Sequence, residues 1–101
     1  MNQSSFVRLV SRHRTVRHWS IAELARRSGL TQPEVSRVLS GQRMPTLRHV
    51  KGFSEAFSAA PTTETGEPVN YEKWLSILAD LGERARFDAR STKKDAISNS
   101  V

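Results

Sequence analysis

Gln32 and Arg37 can each grip a flat, polar partner through two hydrogen bonds at once. An amide such as Gln32 holds a donor beside an acceptor, which is the pattern that brackets an adenine edge. A guanidinium such as Arg37 carries parallel N–H groups that match guanine O6 and N7, or a phosphate. Between them, Pro33 offers a compact apolar surface for a thymine methyl, and Ser36 a hydroxyl that suits a base or a phosphate. Glu34 reads more simply as a helix-capping carboxylate, because phosphates would repel a free carboxylate among these groups. Taken singly, each of these side chains is indistinguishable from a solvated surface residue. They gain meaning only if one short element presents them together.

The surrounding residues specify such an element. Ser20 and Thr31 each precede an apolar-periodic run, and each has a glutamate three positions on, Glu23 and Glu34. This is the capping-box pattern, in which hydroxyl and carboxylate satisfy the amides a helix start leaves unpaired. The two boxes leave space for only a tight turn, Ser28-Gly29-Leu30, with Gly29 where a left-handed residue ends a helix. Leu24, Leu30, Val35 and Val38 form one apolar seam, and Ala25 is small where the two helices must approach. An ordinary helical hairpin shares the caps but not the joint placement of Ala25, Gly29, Val35 and the polar positions beyond Thr31.

The expected order is a helix over 4–17 (Phe6, Leu9, Val10 and Val16 or Trp19 inward, capped by Ser4 or Ser5), then 21–27, 32–40 and 47–58. Thr46 caps the last of these, with Leu47, Val50, Phe53 and Phe57 inward. Its Gly52 should weaken it by about 1 kcal/mol relative to Ala. Residues 59–69, rich in Pro, Thr and Glu, read as a linker after a first domain of residues 1–58. A C-terminal helix follows over 70–89, ended or interrupted at Gly82, with Trp74, Leu75, Ile77, Leu78 and Leu81 forming an apolar face. The polar residues 90–101 are expected to be a disordered tail.

The net charge of +6 is unevenly distributed. Residues 1–51 carry +8 and residues 52–101 carry −2. Nine of the ten cations in the first half are arginine, which points to a polyanion-binding surface there. There is no cysteine, so disulfides and thiolate metal sites are excluded. No apolar run reaches the length of a membrane span, and the N-terminus does not resemble a signal peptide, so a soluble cytoplasmic protein is expected. His13, His18 and His49 lack metal-ligand spacing, and no catalytic constellation can be assembled, so neither enzyme activity nor a cofactor is expected.

The segment WSIAELARRSGLTQPEVSRVLSGQRMPTL resembles the helix-turn-helix domain of the Cro and lambda-repressor family, also called the XRE family. The likeness covers about residues 6–58. It implies an all-α, lambda-repressor-like bundle of four to five short helices that binds operator DNA, usually as a symmetric dimer, in proteins that are mostly transcriptional repressors. The chain departs from many relatives at Ile21, where they carry a polar residue such as Gln.

In that geometry Gln32, Pro33, Ser36 and Arg37 face the bases of double-stranded DNA. Arg14, Arg17, Ser20, Thr31, Gln42, Arg43 and Arg48 flank the groove as phosphate contacts, which position a protein without reading sequence. The face Trp74, Leu75, Ile77, Leu78 and Leu81 either docks on the bundle's own core or joins two copies in a homodimer. Two other readings remain: an interaction module of antitoxin type, whose helices bind a protein partner (a toxin or an anti-repressor), and sequence-independent DNA binding by charge alone.

Overall fold

Ser4, Ser20, Thr31 and Thr46 each hold extended backbone immediately before a helix, and the four helices they start are α1 (Ser5–Val16), α2 (Ile21–Ser28), α3 (Gln32–Leu39) and α4 (Leu47–Ala59). A fifth, α5 (Tyr71–Asn99), follows the linker. This computed structural model describes residues 4–64, 66 and 69–99, with the side chains of α5 described as far as Arg86. The fold is all-α; no strand occurs among the described residues.

Three caps work by different chemistry. Thr31 and Glu34 form the full reciprocal box: Glu34 N–H donates to Thr31 Oγ1 at 3.3 Å, and Thr31 N–H donates to Glu34 Oε2 at 3.1 Å. Ser20 makes only half of the expected box. Its hydroxyl accepts from Glu23 N–H at 3.0 Å, but the Glu23 carboxylate turns to Arg26 and Arg27, at 2.6 and 2.7 Å. Two guanidiniums outcompete one backbone amide because charge-assisted bonds are stronger. At Thr46 the returning acceptor is an imidazole: Thr46 N–H donates to His49 Nδ1 at 2.9 Å. Gly29 takes φ +67 and ends α2, as the turn demands.

The core is built from one face of each helix. Phe6 and Val10 of α1, Leu24 and Ala25 of α2, Leu30 of the turn, Val35 and Val38 of α3, and Val50, Phe53 and Phe57 of α4 are all buried. Trp19 stacks on Phe57 with centroids 6.0 Å apart. Leu47 departs from the expected inward stripe and is 58% exposed, because the first position of α4 projects away from the bundle. Gly52 is where α4 crosses the end of α2: a Cβ there would lie 2.5 Å from the Ser28 carbonyl oxygen. Its missing side chain allows the two backbones to touch.

The C-terminal helix is part of this core. Trp74 is 3% exposed and Leu78 fully buried, with Trp74 5.1 Å from the Phe57 ring and 4.6 Å, edge-on, from that of His13. Leu75, Ile77 and Leu81 are half-buried. Of the five positions of that apolar face, expected either to dock on the core or to join two copies, Trp74 and Leu78 serve the protein's own interior. Gly82 neither ends nor breaks α5 but is buried within it, where an added Cβ would meet Pro45, Val50 and Phe6 at ordinary contact distance. Backbone helix continues to Asn99, beyond the expected end at residue 89, through a stretch with no Pro or Gly to stop it. The side chains of the expected tail lie outside the described residues.

Candidate nucleic-acid interface

The periodicity of α3 turns Val35, Val38 and Leu39 inward and leaves Gln32, Pro33, Ser36 and Arg37 exposed on the opposite side. The four proposed base-reading positions thus share one solvent face. No ion pair ties up the Arg37 guanidinium among the described residues, while its backbone carbonyl anchors the loop that follows. Ser40 Oγ–H, Gln42 N–H and Arg43 N–H donate to it at 3.2, 2.9 and 3.2 Å. That anchorage holds Gln42 and Arg43, both exposed, against the end of α3.

Glu34 is the hub at the start of α3. Its Oε2 accepts from the Thr31 amide, from Thr31 Oγ1 at 3.2 Å and from Arg48 at 3.2 Å. These donors, the Thr31 amide foremost, hold its carboxyl below the usual range. Its other oxygen, Oε1, lies 3.5 Å from Nε2 of His49. Glu34 is therefore a structural carboxylate that ties Thr31 and Arg48 to the start of α3. Arg48 remains mostly exposed, so the pairing leaves it reachable from solvent.

Two of the expected phosphate contacts face the wrong way. Arg17 is folded inward: Nε donates to the Ala60 carbonyl at 2.7 Å, one Nη to the His13 carbonyl at 2.9 Å and the other to that of Phe57 at 3.3 Å. Its guanidinium also lies 4.7 Å from the Phe57 ring. It closes the ends of α1 and α4, where helix carbonyls lack partners. Arg14 donates to the Trp19 carbonyl at 2.7 Å and its Nε is buried, so it fixes the α1–α2 turn. Neither holds a free guanidinium toward a ligand. Ser20, Thr31, Gln42, Arg43 and Arg48 are exposed, Ser20 and Thr31 at the starts of α2 and α3, Gln42 and Arg43 just past α3, and Arg48 in the first turn of α4.

An exposed polar row on a short helix, set behind a second helix by a glycine turn and flanked by unburied cations, is the layout of a helix-turn-helix DNA reader. Residues 14–62 match the family model described as Helix-turn-helix. Over that stretch, just under half of its length, the chain is similar to the XRE-family helix-turn-helix domain. No curated protein and no solved structure matches the chain. The match begins inside α1 and ends just after α4, so it spans the helix-turn-helix and the two helices that brace it. A domain of this kind supports a DNA-binding regulator. No helix among the described residues is long and apolar enough to cross a membrane.

Arg86 and His49 make structural ties that sequence reasoning missed. Arg86 of α5 donates to the Pro45 carbonyl, and at 3.0 Å to Glu83, tying α5 to the loop ahead of α4. Its partner lies far away in sequence, so no local signal marks it. His49 did leave one: it stands three residues after a capping threonine, in the place of the glutamate in the two other boxes.

Proposed function

We propose that the protein is a sequence-specific transcriptional repressor that binds a palindromic operator as a homodimer, with α3 of each copy in the major groove. Gln32, Pro33, Ser36 and Arg37 read bases. Ser20, Thr31, Gln42, Arg43 and Arg48 hold phosphates, while Arg14 and Arg17 leave that set. The observation that carries the reading is the exposed row on α3, which is polar and hydrogen-bond capable rather than uniformly cationic. A binder relying on charge alone has no use for Gln, Pro and Ser at the positions facing the groove.

The dimer is argued from specificity. Four side chains on one eight-residue helix contact only a few base pairs, and two copies reading half-sites about 34 Å apart double that number. Leu75, Ile77 and Leu81 retain partial exposure on α5, and Met44 and Leu47 are exposed beside α3. These are the apolar groups available for contact between copies. Occupancy of a promoter by such a dimer excludes polymerase without further chemistry.

Fluorescence anisotropy against duplex from the protein's own upstream region, with a scrambled control at two salt concentrations, tests the reading. A specific complex should prefer its site by about 10³-fold or more. Both affinities should fall steeply with salt as counterions are released. Equal affinities for upstream, scrambled and randomly selected duplexes would defeat sequence specificity. Absence of binding at low salt would favour a protein partner instead. Replacing Gln32 or Arg37 with Ala should cost about 1–3 kcal/mol on the preferred duplex and much less on the scrambled one.

A further inference from the structure

We propose that His49 is a positioning residue that locks the start of α3 to the start of α4 and thereby sets how sharply α3 discriminates between DNA sequences. The DNA consequence rests on the function proposed above; the lock itself does not.

His49 sits in the first turn of α4 with its side chain fully buried. Its Nδ1 accepts the Thr46 amide at 2.9 Å and lies 3.1 Å from Thr46 Oγ1. A ring nitrogen that accepts an amide bears no hydrogen, so the neutral imidazole must carry its proton on Nε2. That nitrogen is buried, has no other hydrogen-bond partner, and faces Glu34 Oε1 at 3.5 Å. The contact is long, and a shift of a few tenths of an ångström closes it. The second Glu34 oxygen holds the Thr31 amide and Arg48. The contacts therefore run in sequence from the Thr46 amide through the imidazole and the Glu34 carboxylate to the Thr31 amide. They join the residues that flank α3 and its following loop, the segment that carries Gln32, Pro33, Ser36, Arg37, Gln42 and Arg43.

The residue type matters. A glutamate at position 49 would also accept the Thr46 amide, but it would set a second carboxylate against Glu34. The imidazole accepts on one side and donates on the other, so it can bridge two elements where an ordinary capping box closes on one. The charged groups around it are Glu34, Arg43 and Arg48. Burial keeps the ring below its usual pKa, which favours the neutral form that the bridge requires. Glutamine is the substitution that preserves both ends, with its carbonyl for Thr46 and its amide for Glu34. Leucine fills similar volume and preserves neither.

The test compares wild type, His49→Gln and His49→Leu in the full chain, at a temperature where circular dichroism shows all three folded. The probes are a duplex selected from a random pool by the wild type and its scrambled control. His49→Leu should lose tenfold or more of the wild-type preference while affinity for scrambled duplex stays within about twofold, and His49→Gln should regain most of the loss. Wild-type preference in His49→Leu would overturn the role in discrimination. Nitrogen-15 NMR of the free protein judges the lock without DNA. At neutral pH the wild-type ring should carry its proton on Nε2, and the Thr31 amide resonance should move in His49→Leu and return toward its position in His49→Gln. A proton on Nδ1, or a Thr31 resonance indifferent to position 49, would overturn the lock. If the wild type itself shows no preference between duplexes, the sequence-specific reading fails, and the NMR arm still decides the lock.

Discussion

His13 and His49 are both buried, and each accepts a hydrogen bond through Nδ1, His13 from Arg17 at 3.2 Å. An imidazole used as an acceptor in the interior resists protonation. Burial, with Arg17 and Arg12 adding repulsion, holds His13 at about 4. In the unfolded chain it titrates near 6.5. Between those values the unfolded chain binds a proton that the native one refuses, so stability falls as pH drops from about 6.5 toward about 4. His49, also held below its usual range by burial, loses stability in the same direction as pH falls. Hydrogen bonds from Arg26 and Arg27 hold Glu23 down at about 2, so its contribution is lost only as pH falls below about 4.5. Denaturant titrations across this range should show an upper, histidine step and a lower, carboxylate step. His13→Gln keeps an acceptor for Arg17 but cannot titrate, so it should flatten the upper step and leave the lower one intact. An unchanged upper slope would mean that His13 is protonated in the native protein. At this scale the sequence was only half legible. Spacing put Gln32 and Arg37 on an exposed face, but Arg17 was unreadable because its acceptors at Phe57 and Ala60 are far along the chain. A long, flexible arginine can serve the outside or the inside with the same local pattern around it.

The helices themselves were largely written in local residues. The caps Ser20 and Thr31, the turn at Gly29 and the seam Leu24, Leu30, Val35 and Val38 all act within a few positions of one another, and the first four helices begin and end close to where those signals fall. Gly52 shows where local reasoning stops. Helix propensity alone says that Ala would improve α4 by about 1 kcal/mol. The contact with α2 reverses that sign: the added Cβ would stand 2.5 Å from the Ser28 carbonyl oxygen and 3.2 Å from Ser28 Cβ. Backbone cannot rotate away as a side-chain tip can, and overpacking of this kind costs about 1–3 kcal/mol. Gly52→Ala should therefore lower the urea midpoint, with a net loss of up to about 2 kcal/mol once the propensity gain is deducted. A raised midpoint would show that α4 and α2 have room to separate. Because α2 braces α3, the variant should also loosen DNA discrimination.

Across the whole molecule, the apolar stripe of α5 announced burial without naming what would cover it. Trp74, against Phe57 and His13, and the fully buried Leu78 answer toward the inside, and Arg86 fastens the same helix to Pro45 ahead of α4. The helix thus lies outside the segment matched by the family model yet completes the core of that segment. An isolated helix-turn-helix half would expose Phe57, the ring on which Trp19 and Trp74 both pack. Each large buried side chain removed costs about 2–5 kcal/mol. Two together approach the total stability of a small domain, about 5–15 kcal/mol. Truncation after Val69 should accordingly abolish a cooperative thermal transition, rather than yield a folded monomer with weakened DNA binding. Circular dichroism melts of residues 1–69 beside the full chain distinguish the two. Cooperative melting of the shorter chain within a few degrees of the longer would show that α5 is dispensable to the fold, and would return its apolar face to service between copies. Loss of the transition leaves the partly exposed Leu75, Ile77 and Leu81 and the exposed Met44 and Leu47 as the apolar groups on which a second copy must be sought. Single charged substitutions there, in the full chain, then become the proper probe of dimerisation.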